Sequence, residues 1–444
     1  MPPTVLASAC KCAILALRNV GEKKERSAAR EGKEMDKVLS AERMEKVHSD
    51  IRGKLYHEAL RLEKQGENIL RLNTGNPAAF GFTMPDSVRR ALLEGMDRAV
   101  AYCDSRGMPE ARQAICDYET GKGIKGITPD DVFICNGVSE AAQMLCLAMF
   151  NPGDEILMPC PCYSLWSNGV RLAGAVPVMY TCDEQQGWYP DEADIESKIG
   201  SRTKALLIIN PNNPTGAVYD KAALLRLMDI ARRHHLTVIS DEIYDRLTLD
   251  DLPHFSCAAL APDVPVVTCN GLSKSHIICG FRCGWAVLSG EGDALEEIRD
   301  AMERLSSMRL CGNTLTQLVI PAALEDEAST RAMLVPGGRL WEQRKAVMEV
   351  VERTEGITAV ENKAAFYLFP RLDTEALGIT DDHAFGMGLL KEKHILIVPG
   401  TGFGYPEQNH FRIVMLPEPR RLKKAMEDIG DYLDTLRSRA KKGK

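Results

Sequence analysis

The 444-residue chain has no excess of basic residues: Lys and Arg number 55 against 62 Asp and Glu, a net charge of −7. A surface that collects phosphate backbones needs the opposite balance, so nucleic-acid binding is disfavoured. Long hydrophobic runs are missing too. The longest apolar stretches, such as TKALLIIN (203–210) and GWAVLS (284–289), fall far short of the ~20 residues that span a bilayer. Cysteine is present at 14 positions, but zinc-site spacing is not. Cys10/Cys12 and Cys160/Cys162 are separated by single residues, and neither is followed by a second pair at finger distance, so no metal site is expected. Cys135, Cys146, Cys257, Cys269, Cys279 and Cys283 lie in apolar segments, where a free thiol acts as a small buried hydrophobe in a reducing compartment. Internal repeats and a helix-turn-helix pattern are absent. What is there is 45% hydrophobic and 26% charged, which excludes a disordered or collagenous chain. It predicts a soluble, cytoplasmic globular protein of two or three domains.

Residues 1–48 differ from the rest. An apolar stretch from Val5 to Leu17 is broken by Lys11 and has no basic segment before it, unlike a secretory signal. The mixed-charge run GEKKERSAAREGKEMDK follows, and its acidic residues argue against an organellar leader. A poorly ordered extension is the expectation. Folded structure is expected to open with a helix over 50–66, where Leu55, Ala59, Leu60 and Leu62 form an apolar stripe ahead of Gly66.

From about 130 to 290 short β-rich runs alternate with helical patterns. The runs are VFIC (132–135), EILMP (155–159), VPVMY (176–180), ALLIIN (205–210), TVISD (237–241), VVTCN (266–270) and GWAVLS (284–289). Apolar strands without clean polar alternation, joined by helices, predict a mostly parallel, seven-stranded sheet covered on both faces. After a helix around 293–308 the pattern changes to helices at 339–354 and 382–393 with strands at 366–369, 395–398 and 410–415. A smaller α+β domain is expected there. The boundaries implied are 49–84 for an N-terminal arm and part of the small domain, 85–315 for the large domain, and 316–444 for the small one.

In such a sheet, ligands bind beyond the carboxyl ends of the strands. Those ends carry Asn136-Gly137-Val138-Ser139, Asn210-Pro211-Asn212-Asn213-Pro214-Thr215-Gly216, Asp241-Glu242-Ile243-Tyr244, and Gly271-Leu272-Ser273-Lys274, with Arg282 eight residues beyond the lysine. Taken singly these are turn residues. Together they offer a helix N-terminus and an arginine for a phosphate. They add a carboxylate suited to a protonated ring nitrogen, and a lysine able to form a Schiff base with an aldehyde. Phosphate, ring nitrogen and aldehyde are the three handles of pyridoxal 5'-phosphate.

Five motifs in order give the chain its resemblance to the fold-type I, class I/II aminotransferases over roughly residues 50–440. They are NPNNPTG, D-x-x-Y at Asp241–Tyr244, Ser273-Lys274, G-x-R-x-G around Arg282, and F-R-I at Phe411–Ile413. LNTGNPAAFGF (72–82), YCDSRG (102–107), NGLSKS (270–275) and SMRLC (307–311) are similar to the bacterial-type alanine (glutamate–pyruvate) aminotransferases. The resemblance implies a pyridoxal-phosphate enzyme exchanging L-alanine and 2-oxoglutarate for pyruvate and L-glutamate. It implies Lys274 as the Schiff-base lysine and proton shuttle, and Asp241 as partner of the ring nitrogen. Tyr244 and Asn213 become donors to the phenolic oxygen, and Tyr163 the stacked aromatic. Val138, Ser139, Ser273 and Arg282 become the phosphate cup, although Gly271 stands where many relatives carry a phosphate-binding serine. Tyr102 is implied to reach a partner's phosphate in a homodimer with shared sites. Arg412, with the Gly75 backbone, is implied to clamp the substrate α-carboxylate.

For the side-chain carboxylate of glutamate the candidate is Arg52, with Arg106 and Arg309 in reserve. Plainer readings stand beside these: Tyr163 as a core aromatic, Ser273 as a turn serine, Asp241 as a helix cap, Arg412 as a strand arginine, Arg52 as a solvated one. Rival functions are a β-lyase or an aromatic or branched-chain aminotransferase on the same fold, and a non-catalytic pyridoxal-phosphate-binding regulator.

Overall fold

Strand β5 (Thr203–Ile209) explains the architecture on its own. Leu206 and Ile208 pack with Leu224, Leu227 and Met228 of helix Lys221–Arg233, whereas Ala205, Leu207 and Ile209 pack with Ala142 and Leu145 of helix Val138–Met149. Successive side chains of a strand point to opposite faces, so both faces are buried and no polar alternation survives. Each such side chain contributes about 1.5–3 kcal/mol when taken from water.

The computed structural model describes residues 39–443. Most of the extension expected over residues 1–48, including Cys10 and Cys12, lies outside the described residues. Around β5 run β1 (Val132–Asn136), β2 (Glu155–Cys160), β3 (Val176–Asp183), β4 (Tyr189–Pro190), β6 (Thr237–Asp241), β7 (Val266–Gly271) and β8 (Cys283–Ser289). The sheet order is β1-β8-β7-β6-β5-β2-β3-β4. The central pairs are parallel; β8 runs antiparallel to β1 and β7, and β4 antiparallel to β3. The sheet therefore has eight strands, not seven. The additional one is a two-residue edge strand ending in Pro190, too short for any hydrophobic period and placed where proline is tolerated.

The helices expected at 50–66, 293–308, 339–354 and 382–393 appear with shifted ends, as Lys54–Lys64, Glu296–Met308, Arg339–Val351 and Asp382–Lys393. In the C-terminal part the antiparallel strands β9 (Tyr367–Leu368), β10 (Val398–Pro399) and β11 (Phe411–Val414) form a small sheet in the order β9-β11-β10. A separate apolar core joins Leu72 and Phe82 to Val347, Phe385, Phe411 and Ile429. Among the described residues no helix is long and apolar enough to cross a membrane.

Candidate active site

Because β2, β5, β6 and β7 are parallel, their carboxyl ends meet at one edge of the sheet, and antiparallel β8 begins there. Asp241 closes β6 and is buried. Its carboxylate accepts hydrogen bonds from Trp166 Nε1 at 2.8 Å and from the Ile243 amide at 3.3 Å, and among the described residues it meets no cation. Burial pushes this carboxyl up to about 6, against the lowering effect of those two donors. A buried acid with no counter-charge fits a cationic ligand atom.

Lys274 stands beyond β7 on the loop that turns back into β8. Its ammonium donates to Gly75 O at 2.8 Å and lies 3.8 Å from Cys279 Sγ. Burial would lower its pKa, but Tyr367, Cys279 and Tyr163 around it hold it above the ordinary lysine value. Cys279, expected to be a buried thiol, is only half-buried; it lies beside this lysine and donates to Ser273 O at 2.8 Å.

At the end of β1, Gly137 turns the chain with φ of 79° into helix Val138–Met149, whose first amides have no intrahelical acceptor. The Arg282 guanidinium lies over Gly137, where a Cβ would come within 2.5 Å of Nη2, and donates to Cys279 O at 2.9 Å. Val138, Ser139 and Arg282 are thus gathered around one helix N-terminus, a geometry able to receive a phosphate, while Ser273 lies on the loop whose Cys279 carbonyl accepts from Arg282. Gly271 has a packing reason: it pairs with Gly284 across β7 and β8, and a Cβ there would sit 2.5 Å from Cys283 O.

Arg412 comes from β11 and is 1% exposed. It donates through Nη1 to Asn213 Oδ1 at 3.2 Å and through Nη2 to Asn73 O. Its guanidinium packs against the rings of Tyr367 (4.7 Å) and Phe403 (4.8 Å), with Nε unpaired and no carboxylate in salt-bridge range among the described residues. A buried arginine without a counter-ion is a carboxylate receptor. Tyr244 is buried beside it, its hydroxyl 3.0 Å from that of Tyr367. Tyr163 opens the helix Ser164–Leu172 after β2 and acts electrostatically on both Lys274 and Arg412.

Four predicted residues stand apart. Tyr102 is 79% exposed. Arg52 is exposed in the Asp50–Arg52 turn, but that turn is tied inward: Asn73 Nδ2 donates to Ile51 O at 2.9 Å, and Asn73 O accepts from Arg412. The reserves are engaged elsewhere. Arg309 binds Glu140 Oε2 and Ile134 O, each at 2.7 Å, and Arg106 pairs with Asp130 at 3.3 Å. Trp166 and Tyr367 were not among the predicted residues, since each reads as a core aromatic without its partner in view.

Comparison with known proteins agrees with this geometry. The family Aminotransferase class I and II matches residues 67–429. Glutamate-pyruvate aminotransferase AlaA of Haemophilus influenzae is 44% identical over 397 residues, covering 89% of this chain and 98% of that protein. An alanine aminotransferase of Mycobacterium bovis is 43% identical over 396 residues, 89% of this chain and 92% of its own. The crystal structure of an Escherichia coli aminotransferase matches with a TM-score of 0.88 at 41% identity, over 90% of this chain and 99% of that one. From the matched strand ends to the matched sequence, this chain belongs to the class I and II aminotransferases.

Proposed function

We propose that the protein uses pyridoxal 5'-phosphate to transfer the amino group between L-alanine and 2-oxoglutarate, giving pyruvate and L-glutamate. The observation that carries this reading is the presence of two uncompensated buried charges, Asp241 and Arg412, both close to Tyr244, with Arg412 also close to Lys274. The relatives named for glutamate–pyruvate and alanine transamination support the substrate pair. When bound, the cofactor supplies an aldehyde for the amino group and an aromatic ring that accepts charge from the substrate's Cα.

The chain's own residues do the rest. Val138 and Ser139 amides, Ser273 and Arg282 would hold the phosphate, Tyr163 would stack on the ring, and Tyr244 with Asn213 would donate to the phenolic oxygen. Asp241 keeps a proton on the ring nitrogen by its buried negative charge, and its bond from Trp166 aims the carboxylate. Arg412 grips the α-carboxylate in bidentate fashion with help from the Gly75 backbone, and orients Cα. With the cofactor bound, Lys274 Nζ would be the base that takes the substrate's Cα proton and holds it for return. Arg52, whose turn is tied through Asn73 to Arg412, is the proposed partner of the glutamate side-chain carboxylate.

A homodimer with shared sites belongs to this reading, Tyr102 reaching the partner's phosphate. Val100 (87%), Tyr102 (79%), Met308 (80%) and Leu310 (56%) are exposed apolar side chains on two segments bridged by Ser105 and Ser307, and a patch of that kind marks an interface. The division into an arm (49–84), a large domain (85–315) and a small domain (316–444) belongs to it as well. So does a cytoplasmic setting, in keeping with the free thiols among the described residues.

The test is a panel of single amino acids added to the protein loaded with cofactor, following the cofactor's visible absorbance. Alanine and glutamate are expected to bleach it fastest; preference for tyrosine or valine, or release of ammonia instead of a 2-oxo acid, would overturn the assignment.

A further inference from the structure

Tyr367 lies against Arg412, Tyr244 and Gly75 at once, yet the reaction names no role for it. It lies on β9, paired with Val414 of β11. Cross-strand partners share a face, as do residues two apart on one strand, so Tyr367 and Arg412 project to the same side. Its ring lies 4.7 Å below the Arg412 guanidinium and packs edge-on against Tyr244, at 5.7 Å and 90°. Its hydroxyl sits 3.0 Å from the Tyr244 hydroxyl and against Gly75, where any Cβ would collide with it. The residue is 2% exposed. Phenylalanine would fill the same space without bringing a polar group into an apolar setting, so the hydroxyl calls for a role.

We infer that Tyr367 is a positioning residue: its hydroxyl donates to Tyr244, holding that phenol in place and leaving the Tyr244 proton free to point at the cofactor's phenolic oxygen. The inference rests on the proposed role of Tyr244. A phenol that accepts one hydrogen bond becomes a stronger donor in the next, so the chain Tyr367→Tyr244→cofactor oxygen is cooperative. Lowering the electron density on that oxygen lowers the basicity of the nitrogen it bonds internally. The pair therefore sets the pH at which the bound cofactor changes colour. The other titratable groups facing the two tyrosines are Lys274, Arg412 and Asp241, with Tyr163 and Cys279 beside Lys274. Through its ring, Tyr367 does a second task, packing with Phe403 against the carboxylate fork of Arg412.

The experiment uses four cofactor-loaded proteins: wild type, Tyr367→Phe, Tyr244→Phe and the double variant. Tyr367→Phe keeps the ring under Arg412 and removes only the hydroxyl. It is expected to move the pH midpoint of the visible absorbance to the alkaline side and to lower kcat on the order of threefold to tenfold, the net worth of one hydrogen bond. The KM for alanine should stay within about twofold, since carboxylate binding is untouched. Tyr244→Phe should shift the midpoint further in the same direction, and the double variant should match it. A structural role would lower the melting temperature without moving the midpoint. If Tyr244→Phe shifts the midpoint and Tyr367→Phe does not, or if the two shifts add in full, the inference is wrong while the role of Tyr244 stands. If Tyr244→Phe itself leaves the midpoint in place, the role of Tyr244 fails and the inference fails with it. Tyr367→Leu serves as the control for the ring, raising KM for alanine and glutamate alike.

Discussion

Asp241 is ionised where it is least comfortable. Its carboxyl ionises near 3.8 when exposed and at about 6 in the fold, because burial outweighs the bonds from Trp166 and Ile243. That difference costs the charged form about 3 kcal/mol. The unfolded chain therefore binds fewer protons than the folded one between these values, and stability falls as pH rises from about 4 through 6. With the cofactor removed, Asp241→Asn should be more stable than wild type by about 1–3 kcal/mol at pH 8, and the gain should vanish near pH 4. Melting temperatures at the two pH values measure it. The same substitution should slow transamination severely, since a neutral amide no longer holds a proton on the ring nitrogen. A gain in stability with no loss of turnover would remove Asp241 from the mechanism.

At the scale of elements, the β6 loop alternates its duties. Asp241 and Tyr244 face the site, while Glu242 and Asp245 face away and are gripped from behind by Lys122, at the end of helix Pro109–Gly121. The Lys122 ammonium lies 2.6 Å from Glu242, 2.8 Å from Glu119 and 3.1 Å from Asp245. Burial works to lower its pKa, yet the three carboxylates hold it well above the ordinary lysine value. Asp245 also accepts from Asn270 Nδ2 at 2.7 Å, tying in the end of β7, and His254 Nε2 donates to Asn210 O at 3.1 Å, next to the NPNNPTG turn. Replacing Lys122 with Met strands buried carboxylates and should cost about 3–5 kcal/mol. Urea unfolding measures this as a lower midpoint at unchanged slope; a loss below about 1 kcal/mol would show that the loop does not depend on Lys122.

This is also where the sequence stopped being legible. Lys274, Asp241 and Asn213 stand at strand ends within short local motifs, and those ends are visible where short continuous apolar runs stop. Lys122, Trp166 and Tyr367 have no such local sign. Trp166 lies 75 residues from its partner Asp241, and Tyr367 lies 123 residues from Tyr244. Only the closing of the sheet brings them together. Gly271 is the converse: it departs from the family pattern in sequence, and the close pairing with Gly284 supplies the reason.

At the scale of the whole molecule, the exposed apolar face around Val100, Tyr102, Met308 and Leu310 is the feature a single chain does not satisfy. If Tyr102 serves the partner's site, mixing Lys274→Ala with Tyr102→Phe under conditions of subunit exchange should create heterodimers with one intact site. Activity should then exceed the sum of the two parents. No recovery, with exchange verified by native mass measurement, would assign each Tyr102 to its own site.

The central claim is that Lys274, at the end of β7, moves the proton that turns alanine into pyruvate. Its most direct test is a half-reaction with no 2-oxo acid present: L-alanine is added to the cofactor-loaded protein and the pyruvate released is counted per subunit. Wild type should release a stoichiometric amount. Lys274→Ala should still retain cofactor through its phosphate and release essentially none. Stoichiometric pyruvate at an unchanged rate from that variant would contradict the account.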